Sequence, residues 1–513
     1  MKKNNLILLT IIIFAFLIRA LPFWQPPSLN WDEVSLGYDA YSLLKTGRDQ
    51  WGIPLPVIFR AFGDYKLPVY EYLAVPFVFS PRLVSVIAGT LLTIVTYAIA
   101  FKLFGHKVGL WSAFLVAVTP WSLFLSRIAV EANVAILFIS LGIYYLLSKN
   151  YYLATFLLGI SMWTYNSARG FVPLFLIGYW IIFRSNWKQV LFGLLIILPV
   201  FLQLLSISGQ ARYQWLAILN EGGVAAIEQA RNSSKLPVNL SKMIHNRPVY
   251  FVTTVVANYL KYLSPRFLFM FGCDHYQFSM QNHGLLYVVS APFFLFGIWI
   301  LISNFKKYSH GEQISNLLLW WLIIYPVAGS ITRDSPHTLR GVVFLPLPMI
   351  LTGLSLSKLS TKFVYLAVVI FIASFVWYQL RIPGYYKDFS QSWQYGHEQV
   401  VDFLRERYQK YDEIIFTKKY GEPHEFILYY WPWDPSNYQN DYKKWDYHAR
   451  WYWVDGFSKF KFVNDWEMPA VSKSFIPGKH YVVVEGPENF TPGAVVERIN
   501  FLDGKPAFTI KEI

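Results

Sequence analysis

Hydrophobic residues run in long blocks until about residue 380 and then break into short segments. A hydrocarbon core of about 30 Å takes about 17–25 apolar residues to cross. Stretches of that kind lie near 6–23, 82–104, 108–125, 131–148, 151–168, 170–184, 187–206, 284–303, 315–331, 341–357 and 362–380. The pattern predicts an α-helical polytopic membrane part over residues 1–380 with about eleven transmembrane helices. In residues 381–513 the period changes. EIIFT at 413–417, YVVVE at 481–485 and AFTIKEI at 507–513 read as strands, and QVVDFLRERYQKY at 399–411 as a helix, which predicts a small soluble α/β domain. The first run opens MKKNN like a signal peptide, but Arg19 follows it directly and Ala20-Leu21-Pro22 lacks the small-residue cleavage pattern. An uncleaved first helix is expected.

Composition agrees with the blocks. Only 15% of the 513 residues are charged against 55% hydrophobic, whereas soluble domains carry about 25% charged residues. Residues 1–380 hold 28 Lys+Arg against 12 Asp+Glu, and residues 381–513 hold 17 against 19. The basic excess sits in short connections, at Lys2/Lys3, Lys102 to Lys107, Lys149, Arg184 to Lys188, Lys306/Lys307 and Lys358 to Lys362. All fall on one side if the N-terminus is cytoplasmic, and of the acidic residues in 1–380 only Glu312 joins them, as the positive-inside bias requires. An odd number of spans then puts the C-terminal domain outside the cell, with the loops 24–81 and 207–283. Loop charge accounts for the pI near 9.4, so no nucleic-acid partner is expected. Cys273 is the only cysteine, which excludes an intramolecular disulfide and a Cys-rich metal site. His275 and His283 lie near Asp274, yet no ligand spacing singles them out, so neither a metal nor a cofactor is indicated.

Ionisable residues gather at the outer ends of the membrane segments. The first loop opens NWDEVSLGYDAY, with Asp32 and Glu33 adjacent just past the first helix. Helical spacing sets Val34, Tyr38 and Tyr41 toward one side, so this segment is expected as an amphipathic helix lying flat at the interface. The same acids also suit a helix start, Asp32 as its cap and Glu33 in its first turn. Four further outer connections hold Asp64 and Lys66 in GDYK, Arg127 and Glu131 in SRIAVEAN, Arg169 in YNSARG, and Arg333, Asp334, His337 and Arg340 in RDSPHTLRG. Charges there are costly unless they face a protein cavity or one another. Structural ion pairs, Arg127 with Glu131 and Arg333 with Asp334, are one explanation. An anionic ligand is the other, since Arg and Lys are the usual phosphate partners. Carboxylates and cations at one membrane face suit attack on a sugar carbon with a lipid phosphate departing: a carboxylate takes the acceptor's proton and cations neutralise the leaving phosphate.

WDE after the first helix, G-D-Y-K-x-P-x-Y in the first loop, SR…E before the fourth helix and PHTLRG…LP before a late one resemble the bacterial GT-C family of aminoarabinose transferases and protein O-mannosyltransferases. The resemblance covers roughly residues 1–380. It implies a GT-C glycosyltransferase domain there, moving a hexose or pentose from a polyprenyl-phosphate donor to a lipid, protein or wall-polymer acceptor in the cell envelope. It also implies catalytic carboxylates at Asp32 and Glu33, and donor-phosphate contacts from Lys66, Arg340, His337 and Arg127. Asp64, Tyr65, Glu131 and Arg169 fall at substrate positions. Many relatives carry Glu-Lys-Pro-Pro where this chain has Asp64-Tyr65-Lys66-Leu67-Pro68, and Asp where it has Glu131. Asp32, Lys66 and Arg340 are expected to line one cavity.

Two other classes draw on the same features. A transporter or flippase of lipid-linked sugars needs helices, cations and aromatics, but tends to show inverted repeats and midplane charges, and neither is visible here. An O-antigen-type ligase or polymerase shares the donor but ordinarily lacks the tandem D-E and GDYK motifs. The 42 Phe, 35 Tyr and 20 Trp suit interfacial belts, and outer aromatics such as Trp31, Tyr65 and Tyr70 also suit stacking on sugars.

Overall fold

A computed structural model of the chain describes residues 2–303, 311–448 and 451–513. It divides into two compact units, Met1–Leu21 with Ser85–Tyr378, and Pro22–Val84 with Gln379–Ile513. The first loop of the sequence thus folds in the same unit as the C-terminal region.

The first unit is helical. Each of the eleven apolar stretches carries a helix, but only four helices among the described residues are long and apolar enough to cross a membrane: Arg82–Phe104, Asn166–Phe183, Trp187–Leu204 and Thr361–Asp388. Six shorter apolar helices accompany them. Proline shortens several, because it lacks an N–H and pushes the preceding residue out of the helical region. His106–Val118 stops at Thr119, where Pro120 begins the next helix, and Leu347–Leu356 starts only after Pro346. The long loop 207–283 is itself largely helical, with Ile207–Leu216, Glu221–Ser233 and Arg247–Leu263. The connection bearing Lys306 and Lys307 falls outside the described residues. Arg19, fully buried, sends its guanidinium to the carbonyls of Val116 (2.9 Å) and Ala117 (3.3 Å) at the end of His106–Val118. A cation there satisfies carbonyls that the helix leaves unpaired.

The second unit is built on a seven-stranded sheet and the first loop. That loop contributes the helix Trp31–Thr46, ended by Gly47 in the left-handed region (φ 68°), and a two-stranded hairpin, β1 (Phe59–Arg60) and β2 (Tyr65–Lys66). The C-terminal region adds β3 (Glu413–Thr417), β4 (Lys444–His448), β5 (Trp451–Phe457), β6 (Phe460–Val463), β7 (Tyr481–Glu485), β8 (Ala494–Asn500) and β9 (Pro506–Glu512), in the order β4-β5-β6-β3-β7-β9-β8. The central β3 pairs in parallel with β6 and β7, and the outer pairs are antiparallel. The strands read from EIIFT, YVVVE and AFTIKEI are β3, β7 and β9. β7 is buried along its whole length, as a central parallel strand covered on both faces must be.

The helix Trp31–Thr46 does not lie flat at an interface. Residues Glu33 to Ala40 are all buried, because small and polar side chains let the C-terminal region close over it. A Cβ on Gly37 would meet the Tyr429 ring at 2.4 Å, so the helix Pro423–Tyr430 packs against bare backbone. Tyr38 donates to the Trp433 carbonyl (3.1 Å), and the Gln439 amide reaches Ser42 and Thr46.

Candidate functional site

The two adjacent acids of the first loop have different surroundings. The cap of Trp31–Thr46 is Asn30, not Asp32: Asn30 and Glu33 form a reciprocal capping box, with Glu33 N–H on Asn30 Oδ1 (3.0 Å) and Asn30 N–H on Glu33 Oε2 (3.1 Å). The Asn-x-x-Glu spacing outcompetes Asp32 for that place. Glu33 is buried, and Arg82 grips it with Nε on Oε1 and a terminal nitrogen on Oε2, both at 2.8 Å. Arg82 also donates to the carbonyls of Pro26 (2.7 Å) and Ser28 (2.6 Å). Asp32, between these groups in sequence, is exposed.

The β1–β2 hairpin decides what GDYK presents. Pairing of Phe59 with Lys66 and of Arg60 with Tyr65 sends alternate side chains to opposite faces. Tyr65 therefore shares a face with Arg60, whose guanidinium lies 4.9 Å from the Trp51 ring and 4.7 Å from Tyr452. Lys66 turns inward, 7% exposed, and its Nζ donates to Ser35 Oγ at 2.7 Å. Asp64 is half-buried and its carbonyl closes the turn on Ala61 N–H (3.1 Å).

Lys66 keeps its proton. Burial opposes the cation, but Asp39, Asp32, Glu71 and Glu425 outweigh it and raise its pKa. Asp32 and Lys66 are thus brought within each other's field. Burial pushes the Asp39 carboxyl well up, against the pull of Lys66 and with the help of Asp49 and Glu425. Asp39 Oδ1 accepts from Gln50 N–H (3.1 Å), and the Gln50 amide donates to Glu425 (3.1 Å). Behind Glu425, the buried His424 lies 3.3 Å from it and 3.4 Å from Glu422. Burial disfavours its imidazolium, yet Glu425 and Glu422 hold its pKa up to about 9. Glu422 in turn accepts from the Trp451 indole at 2.5 Å. Asp39, His424, Glu422, Glu425 and Trp451 are not among the sequence-derived candidates. The H-E pair at 424–425 was the available signal, but its relation to the first loop lies some hundreds of residues away in the chain.

The other expected residues belong to the helical unit. Arg127, expected at the donor phosphate, is fully buried and holds the Ile18 carbonyl through Nε (3.2 Å) and a terminal nitrogen (2.8 Å). Arg169 donates to the Met162 carbonyl (3.0 Å) and to Gln203 (2.7 Å). Glu131 begins the helix Glu131–Leu147, where an acid complements the helix dipole. Arg333 and Asp334 form an ion pair at 3.3 Å, both partly exposed. Arg340 donates to Thr332 Oγ1 (2.7 Å) and the Arg333 carbonyl (2.6 Å). His337 is buried, and burial together with Arg340, His275 and Arg212 holds its pKa well below the usual imidazole range. It offers a neutral ring, not a cation. Arg212, whose positive field also reaches Arg340, joins this cationic group from the long loop. Among the described residues, no three His, Cys, Asp or Glu side chains gather as metal ligands.

This architecture has precedents among solved structures. It is similar to ArnT from Cupriavidus metallidurans bound to undecaprenyl phosphate, with 13% identity, 99% of this chain and 97% of that chain covered, and a TM-score of 0.53. The apo state of the same protein matches with 12% identity, the same coverage and a TM-score of 0.52. The archaeal oligosaccharyltransferase AglB from Archaeoglobus fulgidus, in complex with an inhibitory peptide and a dolichol-phosphate, aligns over 83% of this chain at 13% identity and a TM-score of 0.48. The chain spans 63% of that protein's length. No family model and no curated protein matches the chain. The chain shares the fold of ArnT along its whole length.

Proposed function

We propose that this chain is an integral membrane glycosyltransferase that moves a hexose or pentose from a polyprenyl-phosphate donor to an acceptor at the outer face of the cell membrane. The observation that carries the reading is the solvent-facing Asp32 set in the field of the buried, protonated Lys66 within one compact unit. The fold shared with ArnT, solved with undecaprenyl phosphate, supports the donor class. Asp32 takes the proton of the acceptor hydroxyl as its oxygen attacks the anomeric carbon. The bond from that carbon to the phosphate oxygen breaks, its electron pair leaves with the carrier phosphate, and Lys66 offsets the growing charge. Glu33, held by Arg82, fixes the helix start that aims Asp32. Arg340 and the neutral N–H of His337 are assigned to an anionic group of substrate, and Asp64, Tyr65 and Glu131 to substrate contact. Arg127 and Arg169 are assigned to holding helix ends. The N-terminus is assigned to the cytoplasm and the C-terminal region to the outside, where protease added to spheroplasts is expected to cut it.

The test is transfer of labelled sugar from a synthetic polyprenyl phosphate, run beside direct carrier binding. A general base contributes about 10²–10⁴-fold, so Asp32→Asn is expected to lower turnover by that factor with carrier affinity nearly unchanged. Lys66→Ala removes a charged partner worth about 1.5–3 kcal/mol and is expected to weaken carrier binding. Full transfer by Asp32→Asn, or wild-type protein that moves sugar lipids across vesicles without cleaving them, would overturn the reading.

A further inference from the structure

The first loop exposes large apolar side chains at Leu44, Ile53, Leu55, Val57, Leu73 and Phe79. Single exposed apolar residues are ordinary on a protein surface, but these belong to segments joined by direct contacts. Phe79 lies 6.0 Å from the Tyr41 ring, and Lys45 Nζ lies 5.8 Å from the same ring. Leu44, three residues after Tyr41, falls on the same side of the helix Trp31–Thr46. That helix ends at Gly47, whose carbonyl accepts from Leu55 N–H (3.1 Å). The Pro56 carbonyl accepts from the Tyr72 hydroxyl (3.0 Å). Tyr72 and Leu73 belong to the helix Pro68–Ala74, which packs along Trp31–Thr46 and leads on to Phe79. Leu55 holds a left-handed backbone (φ 41°) with 68% of its surface exposed. Gly or Asn would adopt that conformation more easily, yet the turn keeps an apolar side chain outward there. Charge is segregated over the same segments. The exposed charges of residues 42–81 are Lys45 and Arg48, while Asp49 and Glu71 are buried and Arg60 and Asp64 half-buried. Asp32, an exposed acid, stands about 20 Å from Lys45 along the helix axis.

We propose that this surface is an interfacial membrane anchor: its apolar side chains sit in the outer leaflet, and Lys45 and Arg48 meet the lipid phosphates. The contact is made by the end of the helix, the turn after it and the segment 72–79, not by the length of Trp31–Thr46. Connected apolar patches mark protein or membrane partners, and apolar residues fringed by cations alone suit an anionic lipid surface. Chain connectivity favours the membrane. The loop is preceded by the apolar helix Asn4–Ala20 and followed by Arg82–Phe104, which is long and apolar enough to cross a bilayer. Phe79 is three residues from Arg82, so it lies within about 11 Å of the start of that helix. A protein partner fits less well, since no feature ties one to this place. The anchor is independent of the transfer chemistry and would hold the first loop down whatever the protein transfers.

The experiment places a spin label on Leu55→Cys, Val57→Cys or Phe79→Cys in the full chain, reconstituted into lipid nanodiscs. These positions are 68%, 65% and 67% exposed, and Phe490→Cys, at 89% and between β7 and β8, is the reference in water. Wild type, whose Cys273 is buried, controls for background labelling, and three positions guard against one that disturbs the fold. Power-saturation spectroscopy compares collision with oxygen, which concentrates among acyl chains, and with a water-soluble nickel chelate. The ratio of oxygen to nickel collision is expected to be several-fold higher at the three loop positions than at Phe490. In discs of anionic phosphatidylglycerol the labels are expected to sit deeper than in neutral phosphatidylcholine, and Lys45→Gln with Arg48→Gln to remove that difference. Labels open to nickel at all three positions overturn the anchor. Labels shielded from both reagents show a protein cover and overturn it as well, and equal depth in the two lipids overturns the role of Lys45 and Arg48. Sugar transfer by the unlabelled chain decides the glycosyltransferase reading separately.

Discussion

Replacing Glu33 by Gln separates the two adjacent acids of the first loop. Glu33 has 1% of its side chain exposed and Arg82 10%, with two contacts of 2.8 Å between them. Removing one member of a buried pair leaves the other uncompensated, at a cost of about 3–5 kcal/mol. Arg82 retains the Pro26 and Ser28 carbonyls in the variant, and Gln can still serve the capping box, so the lower end of that range is expected. A loss of about 3 kcal/mol corresponds to roughly 6–12 °C in the melting midpoint of a domain of this size. Arg82→Met is expected to cost at least as much, since it strands a carboxylate. The double variant Glu33→Gln/Arg82→Met should fall short of the sum by about 0.5–3 kcal/mol, the range for contacting residues. Differential scanning fluorimetry in detergent reads the cycle, with transfer assayed at a temperature where every variant is folded. Asp32→Asn is expected to show the opposite profile, with turnover lost and the midpoint kept. A Glu33→Gln protein with unchanged midpoint and turnover reduced a hundredfold would refute the division and move the chemistry to Glu33.

Two more outcomes follow from groups outside the membrane segments. His424 holds a folded pKa of about 9 against about 6.5 unfolded, so its proton stabilises the fold fully below pH 6.5, by about 3 kcal/mol, and that contribution disappears as pH rises toward 9. The wild-type midpoint should therefore fall over this window while that of His424→Gln stays flatter, and parallel curves would show that Glu422 and Glu425 do not hold the proton. Arg340→Ala is expected to weaken carrier binding about 10- to 100-fold, the equivalent of about 1.5–3 kcal/mol, and unchanged binding by microscale thermophoresis would leave Arg340 as a loop brace on Thr332 and Arg333.

Much of the helical unit is legible in the sequence because period and apolar length act locally. Each apolar stretch does carry a helix, and EIIFT and YVVVE announce buried strands with their β-branched runs. What pattern cannot supply is the partner. In Trp31–Thr46 the helical spacing of Ser35, Asp39 and Ser42 reads as a polar face, since periodicity alone does not say that Gln50 and Gln439 will cover it. The same blindness hides His424 and Trp451. Asn30 is a different miss: its Asn-x-x-Glu signature is local and present, but the Asp-Glu doublet beside it draws the reading. Asp32 and Lys66 can be singled out because their motifs are local, whereas the capture of Glu33 by Arg82 depends on a loop of some fifty residues closing.

The C-terminal region is therefore a structural part of the first-loop site. Gly37 touches Tyr429, Trp31 N–H is held by Gln394 (2.8 Å), Tyr38 packs edge-on to Tyr438 at 6.1 Å, and Leu29 N–H points to the Tyr430 hydroxyl at 3.4 Å. Ending the chain after Asp388 removes all of these. It exposes Val34 and Tyr38, both 0% accessible in the intact protein, at about 1.5–3 kcal/mol for each large apolar side chain returned to water, on top of the lost hydrogen bonds. A helix of this length has little stability of its own, so it should unfold while the membrane segments still insert. Limited proteolysis of membranes reads this: residues 22–84 should resist cleavage in the full chain and be cut in the truncated one, with transfer abolished. Gly37→Val is the milder version, forcing a side chain into the Tyr429 ring, and should loosen the same segment while leaving the sheet folded. A truncated protein that resisted cleavage in 22–84 and still transferred sugar would show that the first loop folds unaided, and the C-terminal region would then be a cover over a site complete without it.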